Sequence, residues 1–242
     1  MSRGSDPPEI YFRQLLAGRH VALTHPAAGQ MRNFMYLLGD PESRKALVVD
    51  PAWDVRSLID EARRDGYEVV GALVTHYHPD HVGGDLWGLH IEGIPQLLEL
   101  GGVPIYVQRA EGDGLKVVTG VSESDLRRVD DGETLNLGAL RLTFLHTPGH
   151  TPGSQCFLVG NRLVAGDTLF VQGCGRVDLP GGDPEQMYYT LTQKLAKLPA
   201  DTVLYPGHDY GSSPTSTIGR ELTDNPYLRI RSLEDWRRLM GL

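Results

Sequence analysis

The sequence predicts a layered α/β fold in one domain, and three observations carry that expectation. Apolar runs of strand length alternate with segments whose apolar residues recur at helical spacing. Glycine and proline punctuate the joins, and 29 glycines supply tight turns. A chain of 242 residues is long enough to bury a sizeable core.

The elements follow in order. Residues 34–38 and 45–49 read as strands, the second running into Asp50-Pro51. Residues 54–64 have helical spacing, with Val55, Leu58, Ile59 and Ala62 on one face and Gly66 as the stop. Residues 69–74 are almost wholly apolar, as a strand covered on both faces must be. Within 83–122, residues 94–100 fit a short helix and 103–107 a short strand. The remainder reads as a long surface loop. Residues 134–145 fit a hairpin turning at Gly138-Ala139, and residues 155–159 and 162–165 a second turning at Gly160-Asn161. Residues 183–198 read as a helix with Asp183 as N-cap and Pro184 at its first position. Residues 202–205 form a last strand. Residues 233–240 form a short C-terminal helix capped by Ser232, with Glu234 and Asp235 in its first turn.

Composition excludes some functions. The net charge is −8 and no basic block occurs, which argues against a nucleic-acid partner. The longest apolar runs are strand-sized, too short for a membrane span. Residues 1–6 are polar and lack the apolar centre of a signal peptide, so a cytoplasmic location is expected. Cys156 and Cys174 form no CxxC pair and are expected to be free thiols.

The chemistry concentrates in Thr75-His76-Tyr77-His78-Pro79-Asp80-His81, directly after the apolar strand of residues 69–74. Chains leave the sheet at such points, and ligand sites form there. His76, His78, Asp80 and His81 place four metal-competent groups in six residues, all suited to zinc or iron. Alternate residues diverge on a strand-to-helix turn, so His76 with His78 and Asp80 with His81 face two neighbouring points. His150, Asp167 and His208 each come soon after an expected strand and can converge on the same edge. His146 reads as a loop residue beside the site, and His20, His25 and His90 as surface residues.

The run His76-x-His78-x-Asp80-His81, followed by His150, Asp167 and His208 in this order, resembles the metallo-β-lactamase fold superfamily over roughly residues 20–230. The resemblance implies a four-layer αββα sandwich with metal at the edge between two sheets. By matching position, His76, His78 and His150 would bind one metal and Asp80, His81 and His208 a second, with Asp167 bridging. Asp50 would orient a ligand histidine. It implies two divalent ions, zinc foremost, sharing a hydroxide that attacks an ester or thioester carbonyl, with Asp80 and Asp167 as the catalytic carboxylates.

Within that superfamily the chain resembles the glyoxalase II-like (hydroxyacylglutathione hydrolase) group through Gly173-Cys174-Gly175-Arg176. The chain ends soon after His208, so the helical domain with which that group contacts glutathione is missing or reduced. It is also similar to the persulfide dioxygenases through Gly173-Cys174-Gly175-Arg176-x-Asp178 and His208-Asp209-Tyr210. Their single iron would fall on His76, His150 and Asp167, a set suited to oxygen chemistry. Leu222, where that group has arginine, and Leu179-Pro180-Gly181-Gly182 depart from it and favour the hydrolase. A noncatalytic metal-binding protein is the third reading. Arg176 and Tyr210 are the candidate contacts to a small thiol-derived substrate. The unassigned loop and the C-terminal helix offer surfaces for a second copy of the chain.

Overall fold

A computed structural model describes residues 9–241, so the polar stretch at residues 1–6 lies outside the described residues. Two six-stranded sheets make the middle of the molecule. The first runs Tyr11–Leu16, Phe34–Asp40, Lys45–Val49, Glu68–Leu73, Ile105–Gln108, Leu126–Val129 in spatial order. The second runs Ser216–Thr217, Val203–Pro206, Arg162–Gly166, Gln155–Val159, Leu140–His146, Thr134–Leu137.

Side-chain alternation along the strands explains the layers. Every residue of Phe34–Asp40 is buried. Phe34, Tyr36 and Leu38 point to the second sheet and meet Leu142, Phe144, Phe157 and Val164. Met35 and Leu37 point the other way, toward the helix Val55–Arg64 and its Val55, Leu58, Ile59 and Ala62. On the far side of the second sheet, Cys156, Leu163 and Leu204 pack with Met187, Leu191, Leu195 and Trp236. Helices on both outer faces and two sheets between them form the αββα sandwich.

Most expected elements lie within a residue or two of their places. Asp54 caps Val55–Arg64 by accepting from the Ser57 backbone N–H, and Asp183 accepts from Glu185 and Gln186. The helix expected over 183–198 changes pitch. An α-helical Pro184–Tyr189 passes into a wider turn at Thr190–Lys194 and a tight one at Leu195–Lys197.

The long loop expected in 83–122 is corrected. That stretch holds a hairpin, Gly84–Leu86 with Leu89–Ile91, the helix Ile94–Leu100, the strand Ile105–Gln108 and the helix Gly112–Thr119. The second helix carries Gly112 and Gly114, which local propensity scores against a helix. Packing requires the small residue: a Cβ on Gly114 would stand 2.5 Å from the Tyr77 ring. Among the described residues no helix is long and apolar enough to cross a membrane.

The sheets are joined at the end that carries the motif. The Gln155 backbone N–H donates to the Thr75 carbonyl at 2.9 Å, and the Phe34 N–H to the Gly207 carbonyl at 2.8 Å. The one-turn helix Pro79–Val82 is clamped against the chain at Gly93, where a Cβ would stand 2.0 Å from the Val82 carbonyl oxygen. Gly93→Ala must push that turn aside. It is expected to destabilise the protein by about 1–3 kcal/mol and to weaken metal binding, read by thermal denaturation with and without zinc; an unchanged Tm in both would remove the clamp.

Candidate metal centre

The motif is shaped by Pro79. A residue before proline is driven out of the helical region, and His78 is extended at φ −64°, ψ 141°. His76 and His78 therefore project to the same side. Proline then starts the helical turn that carries Asp80 and His81. His150 comes from the tight loop at 147–153, Asp167 from the end of Arg162–Gly166, and His208 from the end of Val203–Pro206.

These seven side chains converge. The donor atoms of His76, His78 and His150 all lie within 4.8 Å of one another, and so do those of Asp80, His81 and His208. His78 Nδ1 lies 3.0 Å from His150 Nε2, and His81 Nε2 lies 3.1 Å from His208 Nε2. Asp80 Oδ2 is 3.4 Å from both His81 Nε2 and His208 Nε2. Asp167 spans the groups: Oδ1 is 3.3 Å from His81 Nε2, and Oδ2 is 3.3 Å from His208 Nε2 and 3.7 Å from His150 Nε2.

The tautomers follow from the partners. His150 Nδ1 donates to the Arg176 carbonyl and His208 Nδ1 to the Met31 carbonyl, both at 2.7 Å. His81 Nδ1 donates to Asp50 Oδ2 at 2.9 Å. Thr75 Oγ1 donates to the same carboxylate, which leaves it to accept from His76 Nδ1 at 3.0 Å. Four imidazoles thus present Nε2 to the centre. Asp50 also accepts from the Thr75 N–H at 2.8 Å, so the orienting role expected for it matches its place.

The residues fit metal. His76 Nε2 and Asp167 Oδ1 are buried and have no hydrogen-bond partner, a costly arrangement unless something else satisfies them. Zinc ligands at about 2.0–2.1 Å in tetrahedral array stand about 3.3 Å apart, close to the separations found here. Either cluster could hold a divalent ion.

The two clusters differ in charge. Burial, aided by the neighbouring imidazoles His81, His78 and His150, holds His76 well below the usual histidine range. Burial and then His150 bring His78 down to about 4. Burial also lowers His81 and His208, but the nearby carboxylates outweigh it. Asp80 and Asp167 lift His81 well above its usual value, and Asp167 with Asp80 lifts His208 to about 9. Without metal, the first cluster is neutral and the second retains protons.

The other expected contacts fall at the rim of the same cavity, of about 380 Å³. Arg176 lines it, with its guanidinium donating to Asp178 at 2.8 and 2.9 Å. Tyr210 lines it too, its ring stacked on His208 at 4.5 Å between centroids. His146 donates to or accepts from no ligand residue; its Nε2 donates to the Pro152 carbonyl at 2.9 Å. Burial pushes the Cys174 thiol up to about 12, which suits a structural rather than a reactive thiol.

Two supporting residues escape sequence reasoning. Glu111 accepts from the Tyr77 N–H and the Thr151 hydroxyl through Oε1, and from the Gly153 N–H through Oε2. It thereby ties the loop of His76 and His78 to the loop of His150. Burial lifts its carboxyl to about 7 despite those donors. Its signal was its position just beyond a strand end, as with Asp50 and Asp167. Asn33 Nδ2 donates to Asp80 Oδ2 at 2.9 Å, while its Oδ1 accepts from Trp53 Nε1 at 3.0 Å.

Comparison with known proteins places these features. Residues 28–208 match the family model described as metallo-beta-lactamase superfamily. The chain is 34% identical to the human mitochondrial persulfide dioxygenase ETHE1, over 86% of this chain and 76% of that protein. It is 30% identical to a probable polyketide biosynthesis zinc-dependent hydrolase, BaeB, of Bacillus velezensis, over 84% of each. It is 36% identical to a hydroxyacylglutathione hydrolase of Nitrosococcus oceani, over 76% of this chain but 64% of the longer relative.

The charge difference between the clusters has a measurable consequence. Near neutral pH the first zinc equivalent should load with little proton release, and the second should expel protons from the His81–His208 pair. Affinity for the second ion should rise with pH through about 9, as His208 and then His81 give up their protons more readily. A pH-indicator titration of metal-free protein reads this; equal proton release at both steps would sink the assignment.

Proposed function

The chain belongs to the metallo-beta-lactamase superfamily, and on that premise we propose that it is a two-metal hydrolase of thioesters or related esters. The observation that carries this reading is the second cluster. Asp80, His81 and His208 form a complete buried three-donor group beside His76, His78 and His150, with Asp167 between them. One-iron oxygen chemistry needs a single such group.

Bound divalent ions would supply a water of near-neutral pKa and a Lewis acid for the substrate carbonyl. The protein's own groups do the rest. His76, His78 and His150 present neutral nitrogens, and Asp167 faces both clusters with its two oxygens. Asp80 is held in place by the Asn33 amide and can orient the attacking water and take its proton. Asp50 and the carbonyls of Arg176 and Met31 keep the His81, His150 and His208 rings from turning, and Glu111 holds the two histidine loops together. At the rim, Arg176 and Tyr210 are placed to contact the thiol part of a small substrate. The similarity to the zinc-dependent hydrolase, which has nearly the same extent as this chain, supports the reading.

A second reading is a one-iron persulfide dioxygenase, using His76, His150 and Asp167. Similarity to the human enzyme and the shared Gly173-Cys174-Gly175-Arg176-x-Asp178 run favour it. Leu222 and Leu179-Pro180-Gly181-Gly182 depart from it. A third reading, binding of metal without turnover, gives neither activity.

Elemental analysis of purified protein should return about two zinc-type ions per chain, together with thioester cleavage. About one iron per chain with oxygen uptake on glutathione persulfide would replace the hydrolase reading by the dioxygenase. Asp167→Ala removes the one group common to both clusters and should abolish metal retention and turnover together; full activity in that variant would dismiss the site as drawn.

A further inference from the structure

Of the three tryptophans, Trp53 and Trp236 are buried at 4% and 0% exposure, whereas Trp87 is 87% exposed. Trp87 stands at the tip of the hairpin formed by Gly84–Leu86 and Leu89–Ile91, where Leu86 pairs with Leu89. Trp87 and Gly88 both have positive φ, 51° and 83°. That two-residue turn suits strand twist and ordinarily takes asparagine or aspartate before the glycine. A bulky indole there is held in unfavoured backbone and in water at once. The core does not account for it: Leu86 and Leu89 lean on the first hydrophobic cluster, but the Trp87 side chain packs into none of the three.

The cavity above the metal centre does account for it. Leu86, Trp87, Phe170, Leu179 and Pro180 line that cavity together with His78 and Asp80. Its volume of about 380 Å³ is that of a small-molecule site. Arg176 is the sole lysine or arginine lining it, and Asp178 already neutralises that guanidinium. A glutathione moiety carries two carboxylates and an ammonium, and this wall offers them little. We infer that Leu86, Trp87, Leu179 and Pro180 form an apolar lip that takes the hydrocarbon chain of the acyl group, so the preferred substrates are thioesters of medium-chain or aromatic acids rather than short-acyl glutathione esters. The substrate class rests on the hydrolase reading; the lip itself does not.

Trp87 reports on its own occupancy, being the exposed tryptophan of the three. The probes are S-(2-oxodecyl)-N-acetylcysteamine, its 2-oxopropyl homologue and S-(2-oxopropyl)glutathione, ketone analogues that cannot be hydrolysed. Added to the zinc-loaded protein, the long-chain probe should shift tryptophan emission to shorter wavelength and protect it from iodide quenching, with the short probes much weaker. Trp87→Ala, at an exposed tip and outside the metal-facing clusters, should leave metal content unchanged. It should lower long-chain probe affinity, and kcat/KM for a decanoyl thioester, by about tenfold. Equal binding of all three probes, or an unchanged chain-length preference in Trp87→Ala, would overturn the lip. Chain-selective protection of Trp87 without cleavage of any thioester would keep the lip and discard the hydrolase reading.

Discussion

Five imidazoles and two carboxylates packed side by side, nearly out of water, are the constraint on which the rest of this structure depends. Such a group is unfavourable by itself, because burial penalises charge and leaves His76 Nε2 and Asp167 Oδ1 without partners. The surrounding fold holds it together nonetheless. Four of the five rings have the outer nitrogen fixed by a group that can only accept or is already committed, so their inner nitrogens point at the centre. No single element could do this. The ligands come from the ends of strands in both sheets, and the hydrogen bonds Gln155–Thr75 and Phe34–Gly207 fasten the sheets together at that end.

The clustered residues of the motif and most of the sandwich were legible because they rest on short-range patterns. Pro79 after His78 sets a local turn whose consequences need no tertiary information. The face Val55, Leu58, Ile59, Ala62 has a 3.6-residue period and is buried as that period requires. The strands with apolar residues on both sides, such as Phe34–Asp40, announce a sheet covered twice.

What was not legible depends on contacts across long separations. Gly112 and Gly114 look like loop residues until the Tyr77 ring fills the space a side chain would take. Glu111 has no neighbouring motif, and its meaning comes from three donors on loops 34, 40 and 42 residues away. Asn33 works in the same way, joining Trp53 to Asp80. The Tyr11–Leu16 edge strand was also missed. Its residues are mostly half-buried at the edge of the sheet, and Arg13 and Gln14 interrupt the apolar run that would mark it.

The frame that holds the seven clustered residues and the rim that meets solvent are separate parts of the structure. The seven metal-facing residues are bound into both sheets, so altering one disturbs the joint that holds the sandwich closed. Trp87, Leu179 and Pro180 carry no comparable load: they sit on a hairpin tip and a loop, with little of the core resting on them. Chemistry at the metal can therefore stay fixed in position while the rim sets what reaches it. The hairpin lies only a few residues beyond Asp80 and His81, separated from them by Gly83 and its contact with Gly93. That tight packing makes the lip rigid with respect to the metal, and a rigid lip selects by shape and polarity rather than by closing over whatever enters.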